Sequence, residues 1–279
     1  MTSGRAHPLL GFYGPDSMMW RINREAVLLG SGPAALLLQI AHPSVARGVA
    51  EHSNFEHDPW KRLHGTIKTT LALVFGDGAA AEKAVRKLNR VHGGVRGEGY
   101  RAMDPELLLW VQSTLILTSV EAYQRWVRPL SAEEKQQFWQ EARRVGVRLG
   151  IGLDLSPQDW PGLEAYWAWM LSPDGPIKVS DVALRLAPSI IRPPFPLVPG
   201  LAIDMLTLPG IALLPPRIRN EYGIAWDSRH EALATALGLA VRGWTTVIPT
   251  PLRSMPQAVS ANRRVRDLAR PASAETRRA

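Results

Sequence analysis

The stretch DPELLLWVQSTLILTSVEAYQRWVRP, residues 104–129, constrains the fold more than any other part of the chain. Asp104 and Pro105 are a helix start, with a side-chain acceptor at the cap and a ring preset for the first turn. From Leu107 to Val120 no charged residue follows. A helix that is apolar all round its middle cannot lie on a surface, because each of its faces must be covered. The remaining segments are therefore expected to pack around it.

Those segments read as helices too. DSMMWRINREAVLLGS carries an Asp16/Ser17 cap and helical apolar spacing up to Gly30 and Gly32, and PAALLLQIAH restarts behind Pro33. Pro43 bends or restarts the chain again. DPWKRLHGTIKTTLALVF opens on Asp58 and Pro59 and stops at Gly76, while DGAAAEKAVRKLNRVHGG starts near Asp77 and ends in a Gly-Gly cap behind His92. SAEEKQQFWQEARRVGVRLG opens with a capping box, Ser131 and Glu134. Shorter helices follow in SPQDWPGLEAYWAWML, SDVALRLAP, PPRIRNEYG and SRHEALATALGLAVRGWTTVI. β-branched runs are short and none alternates long enough to build a sheet. The expectation is an all-α fold: one multi-helix domain over 1–256, followed by a basic tail, 257–279, expected to be disordered.

With 279 residues, 46% hydrophobic and 21% charged, the chain can bury a core of this kind. It has no cysteine, which excludes disulfides, thiolate metal sites, iron–sulfur clusters and covalent c-type haem. The formal charge is +8, but the stretch from Arg253 onward carries seven arginines against two acids. In the body the charges mix sign and no basic run is interleaved with aromatics, which argues against nucleic acid as a partner. The N-terminus lacks the apolar core of a signal peptide. The longest apolar segment, FPLVPGLAIDMLTLPGIALLPP (195–216), is interrupted by Asp204 and several prolines, so it reads as buried core or a shallow interfacial patch rather than a span. A soluble, cytoplasmic protein that touches a membrane peripherally is the expectation.

Histidines are unevenly placed. Four of the seven, His42, His52, His57 and His64, fall within residues 41–66. His92 shares a helix face with Val85 and Leu88, so an imidazole sits on the apolar side, just before the helix end. It can be a core histidine bonded to its own helix-end carbonyls, a cation favoured by the helix dipole, or a metal ligand. Upstream, Arg62, Thr66 and Thr69 recur at helical spacing. Such a stripe of donors suits an anion, a polar ligand or a bound oxygen species, or else a solvated face. Glu-x-x-His pairs for a di-iron bundle and a His-Glu-x-x-His zinc motif are absent. A two-histidine, one-carboxylate iron site stays open on spacing alone. GSGPAA has neither the nucleophile of Gly-x-Ser-x-Gly nor the lysine of a phosphate loop.

In order, GSGPAALLLQIAHPSVARGVAEHS, DPWKRLHGT, VFGD, VHGGVRGEGYRAMDPELLLWV and LPPRIRNEYGIAWDSRHEALATAL resemble the latex-clearing proteins (rubber oxygenases) and the related mycophenolic-acid-pathway oxygenases. The resemblance covers roughly residues 17–245. It implies a helical domain holding a non-covalent b-type haem that activates dioxygen. It also implies His92 as the axial iron ligand, with Arg62 and Thr66 on the distal side. His42, at a helix break facing the core, is carried as a further cofactor-lining residue, ahead of His52; His57 and His64 are read as surface residues. In rubber oxygenases a lysine that can cap the iron precedes the distal threonine. Here that position is Gly65, which argues against a lysine-capped resting state and against polyisoprene as substrate. The resemblance thus implies a haem-dependent oxygenase for a hydrophobic, isoprenoid- or lipid-like substrate, in a pocket built from LLLWVQSTLIL and the 195–216 segment. A haem sensor or carrier without turnover, and a haem-free helical interaction protein, are the alternatives.

Overall fold

The computed structural model describes residues 9–53, 59–193 and 198–269, with the backbone alone at 59–64 and 268–269. Fourteen α-helices make up nearly all of its regular structure among these residues. They are α1 (Met18–Asn23), α2 (Gly32–Ile40), α3 (Pro43–His52), α4 (Pro59–Phe75), α5 (Gly78–Gly94), α6 (Pro105–Trp126), α7 (Ala132–Arg148), α8 (Trp160–Met170), α9 (Asp181–Ile191), α10 (Gly200–Ile211), α11 (Pro216–Glu221), α12 (Ser228–Val247), α13 (Thr250–Arg253) and α14 (Pro256–Ala269). A 3₁₀ turn spans Ala26–Ser31, and a two-residue hairpin pairs β1 (Arg96–Gly97) with β2 (Tyr100–Arg101).

Helix α6 is the axis expected of it. Asp104 caps it by accepting the Glu106 N–H at 2.9 Å. Leu109, Ile116 and Tyr123, seven residues apart, enter one core cluster with Trp20, Phe138, Trp139 and Leu163. Trp110, Ala122 and Trp126 enter a second, with Leu37, Leu38, Leu186 and Ile218. The two cores lie on opposite sides of one helix, which is why its sequence shows so little polarity between faces. Buried aromatic tips are bonded as burial demands: Trp20 Nε1 donates to the Val74 carbonyl at 2.7 Å, Trp110 Nε1 to Leu38 at 3.2 Å, and the Tyr222 hydroxyl to Leu37 at 2.7 Å.

Two expectations change. DSMMWRINREAVLLGS does not form one helix: α1 ends at Asn23 and a 3₁₀ turn begins at Ala26. The break is imposed from the far end of the chain. The Met255 N–H donates to the Arg24 carbonyl at 2.7 Å, and the buried Glu25 carboxylate accepts from Arg24 and Arg253. The Arg24 and Glu25 N–H groups still donate to Trp20 and Ile22, but the Arg24 carbonyl turns to Met255 instead of the next turn. The second change concerns the tail. Its first part is α14, and Ala258 and Ala261 are fully enclosed in the first core cluster, so residue 257 lies inside the packed body. The Ser131/Glu134 capping box forms as read. Asp58, the expected cap of α4, is outside the described residues.

Candidate functional site

Helices α4 and α5 pack side by side, joined through Gly76 and Asp77. Asp77 starts α5 by accepting the Ala80 N–H at 2.8 Å. Ala81, Ala84 and Val85 face inward and are buried; Lys83, Arg86, Lys87 and Arg90 are exposed. His92 stands in the last turn on the inward side and is half-buried.

Lys87 fixes the register of the pair, since its Nζ donates to Thr69 Oγ1 at 3.2 Å. Thr66 is three residues beyond Thr69 on α4, and His92 five beyond Lys87 on α5. Thr66 stands near the middle of α4, and His92 in the last turn of α5. Thr66 is exposed there. Arg62 precedes it by one turn of α4; its side chain lies outside the described residues, as do those of His57 and His64. The expected stripe of three donors is therefore divided. Thr69 is buried and its hydroxyl donates to the Gly65 carbonyl at 2.8 Å, so it serves the α4–α5 contact instead.

The hairpin behind His92 is fastened to α3. Tyr100 is buried, and its hydroxyl donates to Glu51 Oε2 at 2.6 Å. Burial first, and then the Glu51 carboxylate, push that phenol up to about 12, so it remains a donor at neutral pH. Arg47 sits 5.3 Å over the same ring and donates to the Glu98 carbonyl at 3.0 Å. His52 Nε2 lies 3.0 Å from the Arg96 carbonyl. A Cβ at Gly97 would stand 2.6 Å from the tyrosine ring and 2.8 Å from Glu51, so glycine is required for this close approach. The clamp sets where the chain leaves His92, because Val95 still bonds the His92 carbonyl at 3.0 Å. Glu51, Tyr100 and Lys87 went unnoticed in the sequence because each acts through a partner distant along the chain.

His42 and His52 serve local structure. His42 is half-buried and caps α3, its Nδ1 accepting the Ser44 N–H at 3.2 Å. That leaves the proton of the neutral ring on Nε2, the atom through which His42 can reach a ligand. Burial lowers its pKa, partly offset by Asp104 nearby. His52 is exposed, on the outer side of the hairpin clamp.

Among the described residues no three histidine, aspartate or glutamate side chains converge as ligands for a metal. A haem needs one protein ligand, because the porphyrin nitrogens supply four, and a lone imidazole at a helix end suits that donor set. A Cβ at Gly65, Gly93 or Gly94 would meet nothing within 4 Å, so the chain around these positions is open. In donor chemistry the residues present fit the group. The expected pocket between α6 and residues 195–216 differs from the one found. Leu108, Leu109, Trp110 and Ile116 of α6 are buried in the cores, whereas an open, apolar hollow of about 670 Å³ lies against α10, lined by Pro199, Leu201, Ala202, Met205 and Leu206.

Residues 19–243 match the family described as ER-bound oxygenase mpaB/B'/rubber oxygenase, catalytic domain. Two curated relatives are each 29% identical over 229 residues, covering 75% of this chain and 88% of theirs. They are uncharacterized protein Mb2261 of Mycobacterium bovis and uncharacterized protein Rv2237 of Mycobacterium tuberculosis. No solved structure matches.

Proposed function

The chain belongs to the mpaB/rubber oxygenase catalytic-domain family, and on that footing we propose that this oxygenase is b-type-haem-dependent and acts on a hydrophobic, isoprenoid- or lipid-like substrate. Membership makes it an enzyme that combines a small-molecule substrate with dioxygen. The observation that supports the finer reading is the half-buried imidazole of His92 in the last turn of α5.

When bound, the haem supplies the iron at which dioxygen is activated. His92, in the last turn of α5, would hold the haem iron through its imidazole, and the Tyr100–Glu51 clamp restricts how far that turn can shift. Thr66 and Arg62 are both hydrogen-bond donors and would orient dioxygen and stabilise negative charge developing on it. Gly65 contributes no side chain, so no lysine competes from that position. His42, whose pKa burial lowers, would line the cofactor through Nε2. We place the enzyme in the cytoplasm at a membrane surface, where apolar substrates partition.

The test is an absorption spectrum of protein produced with haem precursor, beside His92→Ala. A near-stoichiometric Soret band that collapses or shifts in the variant supports the reading. A wild type that stays colourless after haem is added overturns it in favour of a haem-free helical protein. A stable haem complex that consumes no oxygen with any apolar substrate would point to a sensor or carrier.

A further inference from the structure

Asn89 stands on the flank of α5 that meets α7. Glu82 lies two turns earlier on the same flank, and both grip Arg148 at the C-terminal end of α7. Arg148 Nη2 donates to both Glu82 carboxylate oxygens at 2.6 Å. The Arg148 carbonyl accepts from Asn89 Nδ2 at 3.0 Å. This second contact decides which way the amide points, because the reverse orientation would set two acceptors against each other. Oδ1 therefore faces away from the Arg148 carbonyl. It is enclosed by protein, yet it accepts no hydrogen bond among the described residues.

An enclosed acceptor without a donor is costly and uncommon in a folded chain, and this one has a donor within reach. His92 follows three residues later, which makes it a neighbour on the helix surface, with about 5–6 Å between the two Cβ atoms. Side chains on a helix lean toward its N-terminus, and this lays the His92 ring over the turn that carries Asn89. His92 Nδ1 is enclosed as well. Of the two ring nitrogens, Nε2 is then the one that can meet an iron. A neutral ring that ligates through Nε2 carries its proton on Nδ1, and that proton calls for a carbonyl or carboxylate acceptor.

We infer that Asn89 Oδ1 accepts the Nδ1–H of His92 and so aims the imidazole at the haem iron. On this reading, which rests on haem binding at His92, Asn89 is a positioning residue. It touches neither iron nor substrate. It fixes the tautomer, restrains rotation of the ring and makes the imidazole a stronger electron donor. Helix α7 supplies the rigidity, since Arg148 holds the amide and, through Glu82, the helix that carries it.

The experiment is resonance Raman spectroscopy of the ferrous, haem-loaded protein, reading the iron–histidine stretch of Asn89→Leu and Asn89→Asp beside wild type. Both variants lose the Nδ2 bond to the Arg148 carbonyl, so a structural role alone shifts both the same way or neither. An acceptor role separates them. The stretch should fall in Asn89→Leu, which has nothing to receive the proton, and rise in Asn89→Asp, whose carboxylate draws on it harder. Asn89→Leu should also hold haem roughly tenfold more weakly when the haem-free protein is titrated with hemin. Melting of the haem-free variants confirms that each folds. If Asn89→Leu takes up too little haem for a spectrum, the rise in Asn89→Asp carries the test. Shifts in the same direction, or none, overturn the inference and leave haem binding intact. A wild type that stays colourless, or a Soret band that His92→Ala leaves unchanged, overturns haem ligation by His92 and the role of Asn89 with it.

Discussion

Helices α5 and α12 have the same general construction, one side packed on the bundle and the other turned outward, yet their outer sides differ in chemistry. On α5 the outward positions include Lys83, Arg86, Lys87 and Arg90; on α12, beyond Arg229 and Glu231 in its first turn, they are alanine, leucine, glycine, threonine, tryptophan and valine. The α5 pattern is that of a solvated helix whose informative residue, His92, is on its inner side. The α12 pattern leaves apolar atoms where charges belong. Exposure alone therefore says little; what the exposed atoms are made of separates a face that stays in water from one that is covered.

The largest effect that would test this contrast is at His92. His92→Ala should abolish the haem band while Leu239→Gln with Val247→Gln on α12 retains it, as read by absorption spectra of both; loss in both would mean that the two regions are not independent.

A smaller effect concerns the clamp behind α5. Tyr100→Phe removes the hydroxyl bonded to Glu51 and should cost about 1 kcal/mol in urea unfolding, since that bond joins a charged acceptor that is itself exposed. In haem-loaded protein it should also broaden or shift the Soret band, a change that Arg86→Glu would not produce. Gly65 offers a change of opposite sign. It lies inside α4, and a Cβ there meets nothing, so Gly65→Ala should stabilise the haem-free protein by about 0.5–1 kcal/mol, seen as a higher melting temperature.

The smallest is a pH effect at His42. Burial lowers its pKa in the folded chain below that of the unfolded chain, about 6.5. The folded state therefore binds the proton less readily. The stability linked to His42 is complete above about pH 6.5 and is lost as pH falls from there through the folded pKa. His42→Asn keeps a capping acceptor for α3 and removes the titration, so its unfolding free energy should fall less between neutral and mildly acidic pH than that of the wild type.

The all-α class, the central position of α6, the Ser131/Glu134 box and the inward placement of His92 follow from periodicity and capping alone. These are local properties: an apolar run or a cap acts within a few residues of itself, and the sequence displays it directly. Membership of the oxygenase family was legible as well, because its motifs are short and ordered along the chain. Tertiary structure decided the rest. It broke the first helix at Glu25 to receive Arg253, packed α14 on the core through Ala258 and Ala261, divided Thr69 from Thr66, and fastened the hairpin through Tyr100 and Glu51. It also left one face of α12 exposed among the described residues. Each of these depends on which distant segment arrives against a residue, and that is set by packing around α6 rather than by any neighbour in sequence.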